Sequence, residues 1–249
     1  MTTTITIDQR FRGPARSGNG GYTAGSLAEQ VAVGHVPATV EVTLRMPPPL
    51  ETALEVRVAG DVTSLLAGED VVAEARDVFG DLHPVETVPA DVAADAMASY
   101  AGLRAHPFPG CFACGPDRAA GDGLQIFPGP VPGRDAVVAS LWVPHASLAE
   151  SGDVVDHGLE RVGIATTWAA LDCVGGWSGD LEGRPMVLGR MTARVDALPV
   201  VGEPHVVVGA RLREDGRKMF TASTLYDADG RVVATAEHVW IAVDPAQFN

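Results

Sequence analysis

Two short stretches of this chain hold groups able to do chemistry. The first is "SGNGGYTAGSLAEQV", residues 17–31, where Asn19 stands at an N-cap position and Gly20, Gly21 and Tyr22 form a first helical turn. Glycine there costs backbone entropy, but it lets a ligand approach the free N–H groups. The helix start carries roughly half a unit of positive charge, so a carbonyl oxygen gaining negative charge would be held at this tip. Two plainer readings stand beside this one: Gly20 and Gly21 make a tight turn, or they let the helix pack closely on a strand. The second stretch is "TTWAALDCVGGW", residues 166–177, where Asp172 follows Trp168, Ala169, Ala170 and Leu171. Burial favours the neutral carboxyl and raises its pKa, which suits a general base or a water-positioning group. The plainer reading is a carboxylate bonded to a neighbouring N–H, although acid near a helix C-terminus opposes the dipole.

These residues must be positioned by elements, and the elements come in two sets. Residues 71–78, "VVAEARDV", and 232–239, "VVATAEHV", show the same pattern in the two halves, each following a turn signal. Upstream, 39–60 and 191–212 both read as strand, turn, strand. Ahead of each lies a helical pattern, Tyr22 to Val33 ended by Gly34 and about Val155 to Cys173 ended by Gly175 and Gly176. A short strand precedes each helix, in "TITIDQRF" and "DAVVASLWV". An isolated helix among so many strands buries its apolar face only if a sheet curls around it. The expected class is α+β, a double hotdog of two curled antiparallel sheets, each wrapping one long central helix. The expected units are residues 1–80 and 106–249. Residues 81–105 form the linker, with a surface helix in 89–103 capped by Asp91. In this arrangement Glu29 of "SLAEQ" answers to Asp172 of "ALDC", and the glycine-led helix start of one half faces the carboxylate of the other. The second half opens on "DVVDHGLERV" without a glycine pair, so one of two half-sites is expected to be lost or altered, with Asp156 and His157 near it.

Composition narrows the partners. The 249 residues carry a net charge of −14, with 32 acidic against 18 basic side chains, which disfavours nucleic acid. No apolar run approaches a membrane span. The segment "MTTTITIDQRFRG" lacks a basic region followed by an apolar core, so a cytoplasmic location is expected. Cys111, Cys114 and Cys173 are read as reduced thiols. One Cys-x-x-C pair with His106 nearby lacks a second pair, so no metal is expected, and Cys111 and Cys114 are read as small buried residues of a tight loop. No cofactor motif is present: "GNGGYTAG" is not followed by a parallel unit with an acidic ribose reader, and no serine elbow or P-loop occurs. Exposed strand edges leave room for a homo-oligomer.

With "NGGY" opening the first helix, "ALDC" in the second and "DGRVVATAEHV" in the last hairpin, the chain resembles the acyl-CoA thioesterase II family of double-hotdog proteins. The segment "CFACGPDRAAGDGLQIF" is similar to the start of PaaI-type single-hotdog thioesterases. The resemblance implies hydrolysis of an acyl thioester, with acyl-CoA as partner. The family's catalytic aspartate falls on Asp172 and its strand glutamine near His238. Its hydroxyl residue is expected around Arg211 to Arg213, where "ARLRE" has neither Thr nor Ser. In the implied site the N–H of Gly21 or Tyr22 holds the carbonyl oxygen, Asn19 fixes the turn beside Gly20, and Asp172 with His238 handles water. Leu27 and Trp168 line an acyl tunnel between the helices, Glu29 marks the second half-site, and Arg16, Arg190 and Arg194 are the candidates for the phosphates. A non-catalytic acyl-thioester-binding module is the alternative. A hydratase or dehydratase, for which "VVDHG" at 154–158 is the motif, is a third reading.

Overall fold

A computed structural model describes residues 3–31, 38–150, 158–244 and 246. Each half has a helix, then a strand, then three further strands that pair in sequence. In the first half β1 (Thr4–Thr6) precedes α1 (Gly20–Ala28), followed by β2 (Thr39–Leu44), β3 (Ala53–Ala59), β4 (Val62–Ala67) and β5 (Asp70–Asp77). α2 (Ala90–Met97) and the short β6 (Gly129–Pro130) lie between the halves. In the second half β7 (Val137–Trp142) precedes α3 (Ile164–Trp177), then β8 (Met186–Val195), β9 (His205–Asp215), β10 (Lys218–Tyr226) and β11 (Val232–Ala242).

The strands join in one antiparallel sheet of eleven, ordered β1-β3-β4-β5-β2-β8-β11-β10-β9-β7-β6. The orders β3-β4-β5-β2 and β9-β10-β11-β8 are equivalent, as the repeated "VVA" strands require, since they are β5 and β11. The expected two sheets are therefore fused. β2 pairs β8 from Thr39↔Arg194 to Thr43↔Arg190, and the sheet runs open from β1 to β6. Fusion is favoured because β2 and β8 would otherwise each present an unpaired row of backbone donors and acceptors.

α1 is shorter than expected. It caps at Glu29, and residues 32–37, including the expected stop at Gly34, lie outside the described residues. α3 begins at Ile164 rather than near Val155, with Gly163 as its N-cap, and Asp156 and His157 also lie outside the described residues. α2 starts on Pro89. Asp91 is thus inside the first turn, where its carboxylate accepts from Val92 N–H at 2.9 Å. The pyrrolidine ring fixes a φ suited to the helix entrance, so no side-chain cap is needed.

The two site-bearing helices pack on each other and on the sheet. Leu27, Leu171, Val174 and Trp168 are buried with Val42, Leu65 and Met191 in the main core. β9 is covered on both sides: Val207 belongs to that core, whereas Val206 and Val208 meet Val85, Val88 and Ala93 of the α2 segment in a second cluster. This explains the unbroken apolar run "VVV" in place of a strict alternation. No helix among the described residues is long and apolar enough to cross a membrane.

The close approach of α1 and α3 depends on glycine. A Cβ on Gly25 would lie 2.7 Å from Ala165 Cα and 2.8 Å from Trp168 Cβ; one on Gly21 would lie 2.5 Å from Asp172 Cβ and 2.8 Å from the Trp168 carbonyl. Gly21 and Gly25 are one turn apart on α1, and Ala165, Trp168 and Asp172 share one face of α3, so backbone meets backbone along a short seam. Gly25→Ala must push the helices apart. It should lower stability by about 1–3 kcal/mol, measured by urea unfolding followed by circular dichroism; an unchanged midpoint would show that the seam has slack.

Candidate active site

The tip of α1 is built by backbone hydrogen bonds. Asn19 N–H donates to Phe11 O at 2.8 Å and Gly18 N–H to Pro48 O at 2.9 Å, which ties the residues before the helix to two loops. Asn19 then caps α1, its Oδ1 accepting from Tyr22 N–H at 2.8 Å. Its amide group remains free to reach α3. There Asp172 Oδ2 accepts from Asn19 Nδ2 at 3.1 Å and from Gly21 N–H at 2.9 Å. Oδ1 of the same carboxyl is buried and has no hydrogen-bond partner. Desolvation pushes the Asp172 pKa up to about 7, helped by nearby Cys111 and opposed by the Gly21 and Asn19 donors. The carboxyl thus exchanges its proton near neutral pH, as a general base must.

Asn19, Gly20 and Asp172 share a cleft of roughly 250 Å³. Its apolar wall includes Met46, Pro48, Phe108, Leu188, Trp240 and Ile241, and Arg45 is its cation. Of the first-turn donors, Gly21 N–H is held by Asp172, Tyr22 N–H by Asn19 Oδ1 and Thr23 N–H by Asn19 O. Gly20 N–H is the first-turn donor left without a protein acceptor among the described residues. The N–H groups of Gly21 and Tyr22, expected to receive a carbonyl oxygen, are thus already engaged within the protein. Gly21 serves close packing, one of the plainer readings, with α3 rather than a strand as the partner.

Glu29 mirrors Asp172 at the other end of the antiparallel helix pair. Its Oε1 accepts from Ala165 N–H in the first turn of α3 at 3.2 Å. Each helix thus offers a carboxylate to the other's start, as the pseudo-symmetric reading expects.

His238 is not beside Asp172 in any hydrogen bond. Its Nδ1 lies 3.2 Å from Thr221 Oγ1 across the β10–β11 register, and both pack where a Cβ on Gly175 would sit. A hydroxyl does face it, but from β10 and not from the β9 segment Arg211–Arg213, which is exposed. Leu27 and Trp168 are sealed in the core, so the expected tunnel between the helices is filled and the cleft opens instead at the α1 tip. Tyr22 stacks on Phe11 with ring centroids 3.9 Å apart. Arg190 binds Thr43 Oγ1 at 2.9 Å and Glu41 at 3.4 Å, and Arg194 pairs with Asp196 at 3.1 Å. None of Arg16, Arg190 and Arg194 lines the cleft. Arg45, Phe108 and Trp240 were not foreseen, because their loops and strand ends meet only through tertiary packing. The proline run at 47–49 was the one available signal of an irregular wall.

By sequence, no family model and no curated protein matches the chain. Solved structures do match over nearly its full length. An acyl-CoA thioesterase II, TesB2, from Mycobacterium marinum superposes at TM-score 0.57 with 14% identity, covering 98% of this chain and 94% of that one. A provisionally assigned thioesterase from Novosphingobium aromaticivorans gives 0.65 with 13% identity, covering 97% and 95%. A conserved protein with hot dog fold from Alicyclobacillus acidocaldarius gives 0.52 with 14% identity, covering 98% and 93%. The chain has a hotdog fold. In hotdog terms the site lies where the tip of one half's helix meets the helix of the other half, and identity this low leaves the chemistry to be argued from the residues.

His238 supplies a test of the buried arrangement. Desolvation lowers its pKa from the ordinary 6.5 to about 4, so it is neutral in the fold. Below about pH 6.5 the unfolded state takes up the proton first, and stability falls by roughly 3 kcal/mol as the pH drops to about 4. Asp172, whose pKa is raised, shifts wild-type stability the opposite way over the same range, so the His238 contribution is read as the difference between wild type and His238→Gln in urea unfolding between about pH 7 and 4; parallel profiles would place the titration elsewhere.

Proposed function

We propose that this protein hydrolyses acyl thioesters, with acyl-coenzyme A as the substrate class. The observation that carries the reading is the Asp172 carboxyl, fixed through Oδ2 by the start of α1 and set on the wall of an apolar cleft. The acyl chain lies along the wall formed by Leu188, Trp240 and Ile241. Its carbonyl oxygen is received by Gly20 N–H at the positive end of α1, where charge developing on oxygen is stabilised. The Asp172 carboxylate orients water and takes its proton as the oxygen attacks the thioester carbon; the C–S bond then breaks, and that proton passes to the departing thiolate to give the free thiol. Arg45, half-exposed and paired with Glu74, is the cation placed to meet a phosphate of the carrier. Residues 1–80 and 106–249 are read as the two hotdog units of this site, each contributing one helix; the repeated strand order supports that division. The likeness to thioesterases of the same fold supports the reaction class.

A non-catalytic thioester-binding role is the second reading. It is favoured by His238 pairing with Thr221 rather than with Asp172.

Hydrolysis of a panel of acyl-CoA esters, followed by thiol release, separates the two. The wild type should turn over, and Asp172→Asn, which keeps the shape, should lower kcat/KM by about 10²- to 10⁴-fold. Equal turnover in the variant would remove Asp172 from the chemistry. Tight binding without any wild-type turnover would select the second reading.

A further inference from the structure

The three cysteines of the chain are all buried and all free, and they converge. Cys111 and Cys114 lie in the loop that opens the 106–249 unit, and Cys173 lies in α3 next to Asp172. Their sulfurs all fall within 4.8 Å of one another, with Cys111 Sγ and Cys173 Sγ 3.7 Å apart. A tetrahedral zinc with Zn–S bonds of about 2.3 Å spaces its sulfurs about 3.8 Å apart. The observed pair already has that spacing.

The groups around the sulfurs are donors. Asn19 Nδ2 lies 3.7 Å from Cys111 Sγ and 3.9 Å from Cys173 Sγ. His106 Nε2 is 3.4 Å from Cys114 Sγ. Its Nδ1 accepts from Phe108 N–H at 2.9 Å, which puts the proton of the neutral ring on Nε2, facing the sulfur. The buried indole N–H of Trp177 has no hydrogen-bond partner and lies beside Cys114. N–H groups directed at sulfur lower the cost of ionising it, while burial and crowding raise that cost, so three clustered thiolates here require a cation.

The loop is built to present two of the sulfurs. Gly115 N–H donates to Cys111 O at 2.9 Å, and a Cβ on Gly115 would lie 2.4 Å from Pro109 O and 2.5 Å from Cys111 N. Only glycine lets the chain close that tightly after Cys114.

We propose that Cys111, Cys114 and Cys173 bind a thiophilic divalent cation, zinc, as three thiolates. Binding forms three Zn–S bonds and releases the three thiol protons to solvent. His106 remains an N–H donor to the bound Cys114 sulfur. Cys111 and Cys173 open onto the cleft, which gives the ion its entry path and its fourth, solvent ligand. The ion ties the 106–115 loop to α3 and so holds the wall against which Asn19 and Asp172 meet. This inference does not depend on the thioesterase reading.

The test uses the full-length chain, reduced, stripped of metal and then given one equivalent of Zn²⁺ or Co²⁺. Zinc retained after dialysis should be about one per chain. The Co²⁺ form should show sulfur-to-metal charge-transfer absorption, and zinc should raise the thermal midpoint. Cys111→Ser, Cys114→Ser and Cys173→Ser should each lose most of the retained zinc and that absorption while keeping the wild-type circular dichroism. If a variant fails to fold, the wild-type Co²⁺ spectrum and protection of its thiols from alkylation by Zn²⁺ decide alone. No retained zinc and no charge-transfer band in a fully reduced wild type, or zinc retained equally by the serine variants, would overturn the proposal.

Discussion

The buried contact between the start of α1 and the Asp172 carboxyl is the constraint on which the rest of the site depends. A carboxyl this deep has a high desolvation cost, and two donors offset part of it: a backbone N–H at a helix start and a side-chain amide from the cap of the same helix. Gly21 is needed because the carboxyl reaches the N–H only if the helices touch. Asn19 is needed because one side chain both caps α1 through Oδ1 and donates to Asp172 through Nδ2. Aspartate at position 19 would keep the cap, lose the donor and set a second carboxylate against the first.

The same contact organises the two halves. α1 and α3 run antiparallel, and Gly21 N–H to Asp172 is echoed by Ala165 N–H to Glu29 at the opposite end of the seam. Among the described residues, the Asp172 end is the one that borders a cleft. At the Asp172 end the proline loop at 47–49, Phe108 and the ends of β8 and β11 leave an apolar cleft. The two related contacts therefore differ in surroundings: the Asp172 carboxyl is buried beside the cleft, whereas Glu29 meets Ala165 N–H at an exposed end of the seam.

The thiols extend this economy of construction. Asn19, which fixes the α1 tip, also approaches Cys111 and Cys173, so the cap, the carboxyl and the sulfur cluster form one contiguous polar island inside an apolar core. Such islands are stable only when each member has a partner of opposite character. Asp172 finds its partners in the helix start. The sulfurs find theirs in N–H groups, and a cation completes the balance.

The sequence by itself determined the repeat, the order of elements in each half, the cap at Asn19 and the burial of Asp172. These follow from local rules: hydrophobic period, turn residues and the preference of a short polar side chain at a helix start. Tertiary structure alone decided the fusion of two sheets through β2 and β8, because strand edges carry no sequence mark of their partner. It also assigned each N–H of the first turn. Glycine at 20 and 21 reads alike in a sequence, but packing against Leu188 and Asp172 gives the two residues different neighbours. His238 found its hydroxyl at Thr221 because cross-strand register, not distance along the chain, sets which side chains face each other. Cys173 joined a pair 62 and 59 residues away for the same reason: α3 crosses the loop in space, and no spacing rule in the chain could announce it.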